Sequence, residues 1–235
     1  MQREEIREIF DQQAATYDQQ WQKTAALNKA LHLLMGAVFA ELPEDAHLLC
    51  VGAGTGAELL YLAERFPRWR FTLVDPSSGM LEVCRHRARE QGIAERCTFH
   101  QGYVESLPAT ETFDGATALL VSQFILAPQA RSEFFRDIAR RLHSGGILVS
   151  SDLSADIHSE EYHGLLEMWL RMMQAAEVTP EAVERMRTAY ARDVAVLPAG
   201  EVEEIIGAGG FGAPVQFYQA GLIRGWYSRR KPSVS

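Results

Sequence analysis

Apolar residues recur along the chain with two periods, and their alternation divides it into elements. In residues 3–20, Ile6, Ile9, Phe10 and Ala14 keep helical spacing, and in 24–41 Leu27, Leu31, Leu34 and Val38 do the same. Pro43, followed by Glu44 and Asp45, ends that region. Short apolar runs then alternate with helical stretches: strand 47–51, helix 57–66, strand 70–75, helix 78–91, strand 96–101, strand 113–121, helix 129–142 and, after the turn Ser144-Gly145-Gly146, strand 146–151. Strands separated by such helices predict right-handed crossovers and a parallel sheet covered on both faces. After Asp152 the rhythm changes. Residues 159–176, 180–191 and 199–208 read as helices, and 215–220 and 222–228 as a strand pair around Gly221, an antiparallel edge added to the sheet.

One junction carries more chemistry than the rest. His47-Leu48-Leu49-Cys50-Val51 runs into Gly52-Ala53-Gly54-Thr55-Gly56 and then into the helical Ala57-Glu58, which reads as a strand, a tight turn and a helix start. Glycines there remove Cβ atoms that would meet a ligand, and N–H groups at the helix N-terminus are expected to point at it. The string fits the dinucleotide pattern G-x-G-x-x-G/A as well as the G-x-G-x-G of methyltransferases. Asp75, ending the next strand, has two readings: an acceptor for both ribose hydroxyls, or an N-cap. Ribose binding is preferred, because Ser77 or Ser78 fills the cap equally well. Met80 reads either as a polarizable surface for an adenine or as core.

Bulk properties narrow the classes. A chain of 235 residues suits one large α/β domain with a small cover, and a formal net charge of −8 argues against a nucleic-acid surface. Arg229-Arg230-Lys231 reads as a solvated tail. Cys50, Cys84 and Cys97 lack C-x-x-C spacing, no metal pattern stands out, and the charged start Met1-Gln2-Arg3-Glu4-Glu5 has no apolar leader core. With no window near the ~20 apolar residues of a spanning helix, these features predict a reduced, cytoplasmic location without a membrane.

Five motifs in order carry a resemblance. Val51-Gly52-Ala53-Gly54-Thr55-Gly56, Val74-Asp75-Pro76-Ser77-Ser78-Gly79-Met80-Leu81, Gln101-Gly102-Tyr103-Val104-Glu105-Ser106-Leu107-Pro108, Phe113-Asp114-Gly115-Ala116 and Leu142-His143-Ser144-Gly145-Gly146-Ile147-Leu148 resemble the motif series of class I S-adenosylmethionine-dependent methyltransferases. The resemblance covers about residues 10–155. It implies a Rossmann-like α/β fold with a mostly parallel seven-stranded sheet in the order 3-2-1-4-5-7-6. Residues 1–45 would form a helical lid, and 46–235 the methyltransferase domain, with 153–192 a helical cover over the acceptor. The cofactor implied is S-adenosylmethionine, with S-adenosylhomocysteine as product, and the reaction is in-line methyl transfer to a small-molecule acceptor. No nucleic-acid or membrane partner is expected; the oligomeric state is left open, a homodimer included.

Carried over residue by residue, the resemblance sets the methionine moiety over Gly52, Ala53 and Gly54, with Gly56 closing the turn. Asp75 takes the ribose, Pro76 and Met80 flank the adenine, and Tyr103-Val104 lie at its edge. Phe10-Asp11-x-x-Ala14-x-x-Tyr17-Asp18 resembles an N-terminal segment that closes over the cofactor, which makes Tyr17 a lid contact or, alternatively, part of an apolar helix face. Ser122 and Gln123, at the end of strand 4, are expected beneath the sulfonium. Two positions depart from the family: Cys50 stands where an acid usually precedes the glycines, and Tyr103 where an aspartate usually ends strand 3.

No catalytic base is assigned. Candidates after strand 5 are Asp152, His158, Tyr162 and His163, and Met168, Trp169, Met172 and Met173 form either an acceptor roof or a core stripe. Three alternatives remain. One is a carboxy-S-adenosylmethionine synthase-like enzyme, with Arg187 as the carboxylate grip but with Leu27 and Leu119 at the positions of its tyrosine and asparagine. The others are a non-catalytic binding protein that keeps the fold, and a nicotinamide dehydrogenase.

Overall fold

The structure, a computed structural model, describes residues 2–108, 112–175 and 179–232. Its centre is a seven-stranded sheet in the order β3-β2-β1-β4-β5-β7-β6. The strands are β1 (His47–Val51), β2 (Arg70–Asp75), β3 (Cys97–Gln101), β4 (Phe113–Leu119), β5 (Leu142–Leu153), β6 (Val215–Ala220) and β7 (Ile223–Arg229). The first five pair in parallel, while β7 pairs antiparallel with both β5 and β6. The expected sheet order and the antiparallel tail are both present.

The central strands β1, β2, β4 and β5 bury both faces, and their side chains alternate between two cores. Leu49 and Val51 of β1 face Phe135, Ile138, Val202 and Ile206, from α6 (Pro128–Ala139) and α9 (Ala199–Ala208). Leu48 and Cys50 face the other core, with Met35 of α3 (Ala25–Val38), Phe39, Leu59 and Leu62 of α4 (Ala57–Arg65), and Leu81 of α5 (Ser78–Glu90). A third cluster joins α7 (Glu160–Ala175) and α8 (Pro180–Arg192) to Leu31, Tyr218 and Leu222. Trp169 and Met173 are buried within it and Met168 is exposed, so this stripe is core. Of the helix expected over 159–176, Ala176 lies outside the described residues.

Three expectations about element limits are corrected. The helix expected over 3–20 is broken at residues 14–16 into α1 (Arg3–Gln13) and α2 (Tyr17–Trp21), where the Thr16 N–H bonds back to the Gln13 carbonyl. Strand 5 begins at Leu142, because Gly145 at φ +78° is absorbed as an irregularity opposite the Phe113–Gly115 register shift and does not form a turn before the strand. Strand 4 stops at Leu119, since Leu120 adopts φ +57°, a left-handed backbone that a leucine holds only under constraint. Among the described residues, no helix is long and apolar enough to cross a membrane.

Candidate active site

The strand order reverses between β1 and β4, which opens a crevice at the carboxyl ends of the parallel strands. There the structure has a cavity of ≈ 240 Å³, floored by the glycine turn and the tips of β2 and β4 and roofed by α1 and α2.

The three glycines of the turn serve different neighbours. A Cβ on Gly52 would stand 2.3 Å from Val121 Cγ2, and one on Gly56 would stand 2.5 Å from Cys84 Sγ. A Cβ on Gly54 would meet nothing within 4 Å, and Gly54 lines the cavity. Gly54 alone therefore leaves room for a ligand, whereas Gly52 and Gly56 make room for protein side chains. All three have φ between +52° and +81°. The amides of the turn itself are bonded within the protein. Gly52 and Ala53 donate to the Val74 carbonyl, Gly54 donates to Asp75 Oδ2 at 2.9 Å, and Gly56 donates to the Ala53 carbonyl.

Asp75 closes the turn from the β2 side. Its second oxygen accepts the Ser77 N–H at 2.9 Å, so both oxygens are aimed by backbone amides while the side chain lines the cavity. Burial, chiefly, raises its pKa above the ordinary carboxylate range. The cap of α5 is Ser77, whose Oγ accepts the Met80 N–H.

The roof is held by two polar latches. Asp11 accepts from Ser77 Oγ at 2.6 Å and from the Gly79 N–H at 2.9 Å, and a Cβ on Gly79 would come within 3.1 Å of the α1 backbone. Asp18 accepts from Thr55 Oγ1 and from Arg87 Nη1, each at 2.7 Å. The break at residues 14–16 lets both aspartates of this segment reach the domain. At the far rim Arg3 pairs with Glu105, lies over the Tyr103 ring and accepts the Tyr103 hydroxyl at its carbonyl.

Of the residues singled out in the sequence, Tyr17, Ala53, Gly52 and Gly54 line the cavity, as do Asp75, Pro76, Met80, Tyr103 and Val104. Gly56, Ser122 and Gln123 do not. Ser122 Oγ donates to Asp152 Oδ2, Gln123 N donates to Asp152 Oδ1, and Gln123 Oε1 accepts the Leu153 N–H; all three residues are buried. Asp152 is fully enclosed beside Arg131, with Arg131 Nη2 at 3.0 Å, so this carboxylate fastens the loop after β4 and does not line the cavity. Tyr162 is buried in the third cluster, and His158 and His163 are exposed away from the cavity. Arg187 pairs with Glu167 and Glu184 on the surface and does not line the cavity.

The sequence reading missed the other end of the cavity. Asn28, Leu31 and His32 of α3 line it, with Leu119, Leu120 and Phe124 opposite. Phe10 packs edge-on against Phe124 at 5.6 Å and against Tyr17 at 6.3 Å. Burial pushes the His32 imidazole down to about 4, so it is neutral near pH 7. Glu58, in the first turn of α4, is also missed: it is buried, lines the cavity, and accepts a long hydrogen bond from Thr117 Oγ1 at 3.4 Å. Asn28 and His32 share a helix face at i, i+4, and Glu58 lies four residues before the buried Leu62, the one signal that could have found them.

A family described as a methyltransferase domain matches residues 48–146, which run from β1 through the glycine turn and Asp75 to the start of β5. Residues 48–146 thus match a methyltransferase domain, and the sheet order 3-2-1-4-5-7-6 is that of the class I methyltransferase fold. The chain is 34% identical over 124 residues to a malonyl-[acyl-carrier protein] O-methyltransferase of Geobacter sulfurreducens, covering 50% of this chain and 45% of that one. It is 34% identical over 135 residues to a demethylmenaquinone methyltransferase of Symbiobacterium thermophilum, covering 56% and 53%. The chain thus spans about half the length of these relatives. In fold it is similar to a Burkholderia thailandensis 1,6-didemethyltoxoflavin-N1-methyltransferase solved with its namesake compound and S-adenosylhomocysteine, at TM-score 0.67 and 20% identity, covering 97% of this chain and 88% of that one.

Proposed function

We propose that this methyltransferase transfers a methyl group from S-adenosylmethionine to a small, largely apolar acceptor. The observation that carries the reading is one cavity joining two unlike ends: a glycine turn with a fixed carboxylate, and an aromatic slot with two neutral polar groups. The open space at Gly54 and the aimed Asp75 fit the cofactor. Asp75 would accept the ribose hydroxyls, Pro76 and Met80 would flank the adenine with Tyr103 and Val104 at its edge, and Gly52, Ala53, Gly54 and Tyr17 would enclose the methionine moiety. When bound, the cofactor supplies a sulfonium methyl that an acceptor nucleophile takes by in-line displacement, leaving a thioether.

What the protein itself contributes is alignment and exclusion of water. Phe10, Tyr17 and Phe124 form the apolar walls, and Asn28 and His32 offer hydrogen bonds without charge. An imidazole held near pKa 4 is a weak base, so it suits acceptors that react as they are, or already ionised, better than alcohols that must lose a proton in the transition state. We read residues 1–45 as the cover (α1, α2) plus α3, with 46–235 as the methyltransferase domain. In this reading 153–192 supports the acceptor end from behind, because the third cluster packs on Leu31, Leu119 and Phe124.

Calorimetry with S-adenosylmethionine and S-adenosylhomocysteine tests the proposal. Binding of both in the micromolar range is expected, and no binding of either at millimolar concentration would sink it.

A further inference from the structure

Glu58 is a carboxylate in an unusual place. Acids in the first turn of a helix ordinarily stay in water, where they complement the helix dipole. This one is 7% exposed, and among the described residues no lysine, arginine or histidine forms an ion pair with it. A buried acid lacking a cation either stays protonated or waits for a cation. Glu58 lies over β1 and β4, beside Cys50, which pairs with Thr117 across the two strands. It also borders the cavity next to Ala57 and Thr55 of the glycine turn.

We propose that Glu58 is the site that receives the α-ammonium group of the cofactor's amino-acid moiety, replacing from α4 the acid that β1 lacks at Cys50. The inference rests on the proposed function and deepens it. Asp75 is a poorer candidate, because the proposed function assigns its remaining acceptor positions to the ribose hydroxyls. Glu58 has only the long Thr117 contact and its own backbone N–H, so it retains acceptor capacity.

Its surroundings make the subsite sensitive to pH. The titratable groups facing it are Asp75 of β2, Tyr17 of α2, Cys50 of β1 and Cys84 of α5. Burial pushes Tyr17 and Cys84 up to about 12 and Cys50 up as well, so all three stay protonated and neutral, and Asp75 is the one competing anion. Burial, with Asp75 adding to it, raises Glu58 to about 7. A cation binds the ionised form, so affinity for a ligand with an ammonium should rise with pH through this range and level off above it.

The experiment compares two adenosine thioethers by calorimetry: S-adenosylhomocysteine, which has the amino-acid moiety, and 5′-methylthioadenosine, which lacks it. Glu58→Gln should weaken S-adenosylhomocysteine roughly ten- to hundredfold and leave 5′-methylthioadenosine unchanged. In the unaltered protein, the affinity ratio of the two should rise about tenfold from pH 6 to pH 8. Equal losses for both ligands in a folded variant, or no loss for either, overturn the proposal. Should Glu58→Gln fail to fold, a flat ratio across that pH range overturns it and a rising one supports it. Failure of the unaltered protein to bind either ligand would instead remove the cofactor reading itself.

Discussion

Two aspartates stand at the carboxyl ends of parallel strands of the one sheet, Asp75 on β2 and Asp152 near the end of β5, and both are buried. Asp75 is aimed by two backbone amides and faces the cavity. Asp152 is met by Arg131, Ser122 and the Gln123 amide and faces protein on every side. The difference lies in what the neighbouring helix brings to the strand tip. After β2, the chain turns directly into the Ser77-capped α5 and brings no cation to the carboxylate, which faces the cavity; over β5, α6 inserts the fully buried Arg131. A carboxylate at a strand tip is thus available for a ligand only when no helix supplies its counter-charge.

The strongest way to break this comparison is Asp152→Ala, which strands a buried guanidinium. It should cost about 3–5 kcal/mol of unfolding free energy, measured by denaturant titration, and a loss under 1 kcal/mol would mean that the pair holds nothing together.

His32 sharpens the contrast, being a buried cavity-lining group shifted by burial alone. Unfolded histidine titrates near 6.5 and folded His32 near 4, so between those values only the unfolded chain takes up the proton. Stability should therefore fall as pH drops from 6.5 toward 4, by up to about 3 kcal/mol. Glu58, folded near 7 against 4.5 unfolded, has the opposite slope and gains stability as pH falls, so the measurement is the difference between the protein and His32→Leu. Parallel pH profiles for the two would refute the burial of His32.

The smallest effect on the fold belongs to Asp75→Asn. It keeps the shape but turns one of the two amide-accepting oxygens into a donor, so it should cost about 1–2 kcal/mol of unfolding free energy, while S-adenosylhomocysteine affinity drops roughly tenfold or more. Unchanged affinity would reduce Asp75 to a wall.

Period and turn chemistry made the sheet order, the glycine turn and most of the cofactor end legible, because those features repeat locally in the chain. What was hidden depends on long-range packing. Ser122 and Gln123 stand at the right strand end, yet Asp152 and the Leu153 amide, about thirty residues on, claim their polar atoms. His32 and Glu58 sit on inward stripes where a polar residue reads as surface until a cavity is seen beside it. Gly145-Gly146 reads as a turn, but an extended strand with one irregularity accommodates it.

The antiparallel tail has a consequence for the order of assembly. β7 inserts between β5 and β6 and pairs with β5 over seven residues, from Ile147–Arg229 to Leu153–Ile223. Until residue 229 has been synthesised, the apolar Ile147, Leu148 and Val149 belong to an open sheet edge, the kind of surface that recruits other strands. The parallel half can form early on the ribosome, but the nascent chain stays adhesive until β7 arrives, so a chaperone or fast translation of that segment would matter more here than for a sheet closed by its middle segments.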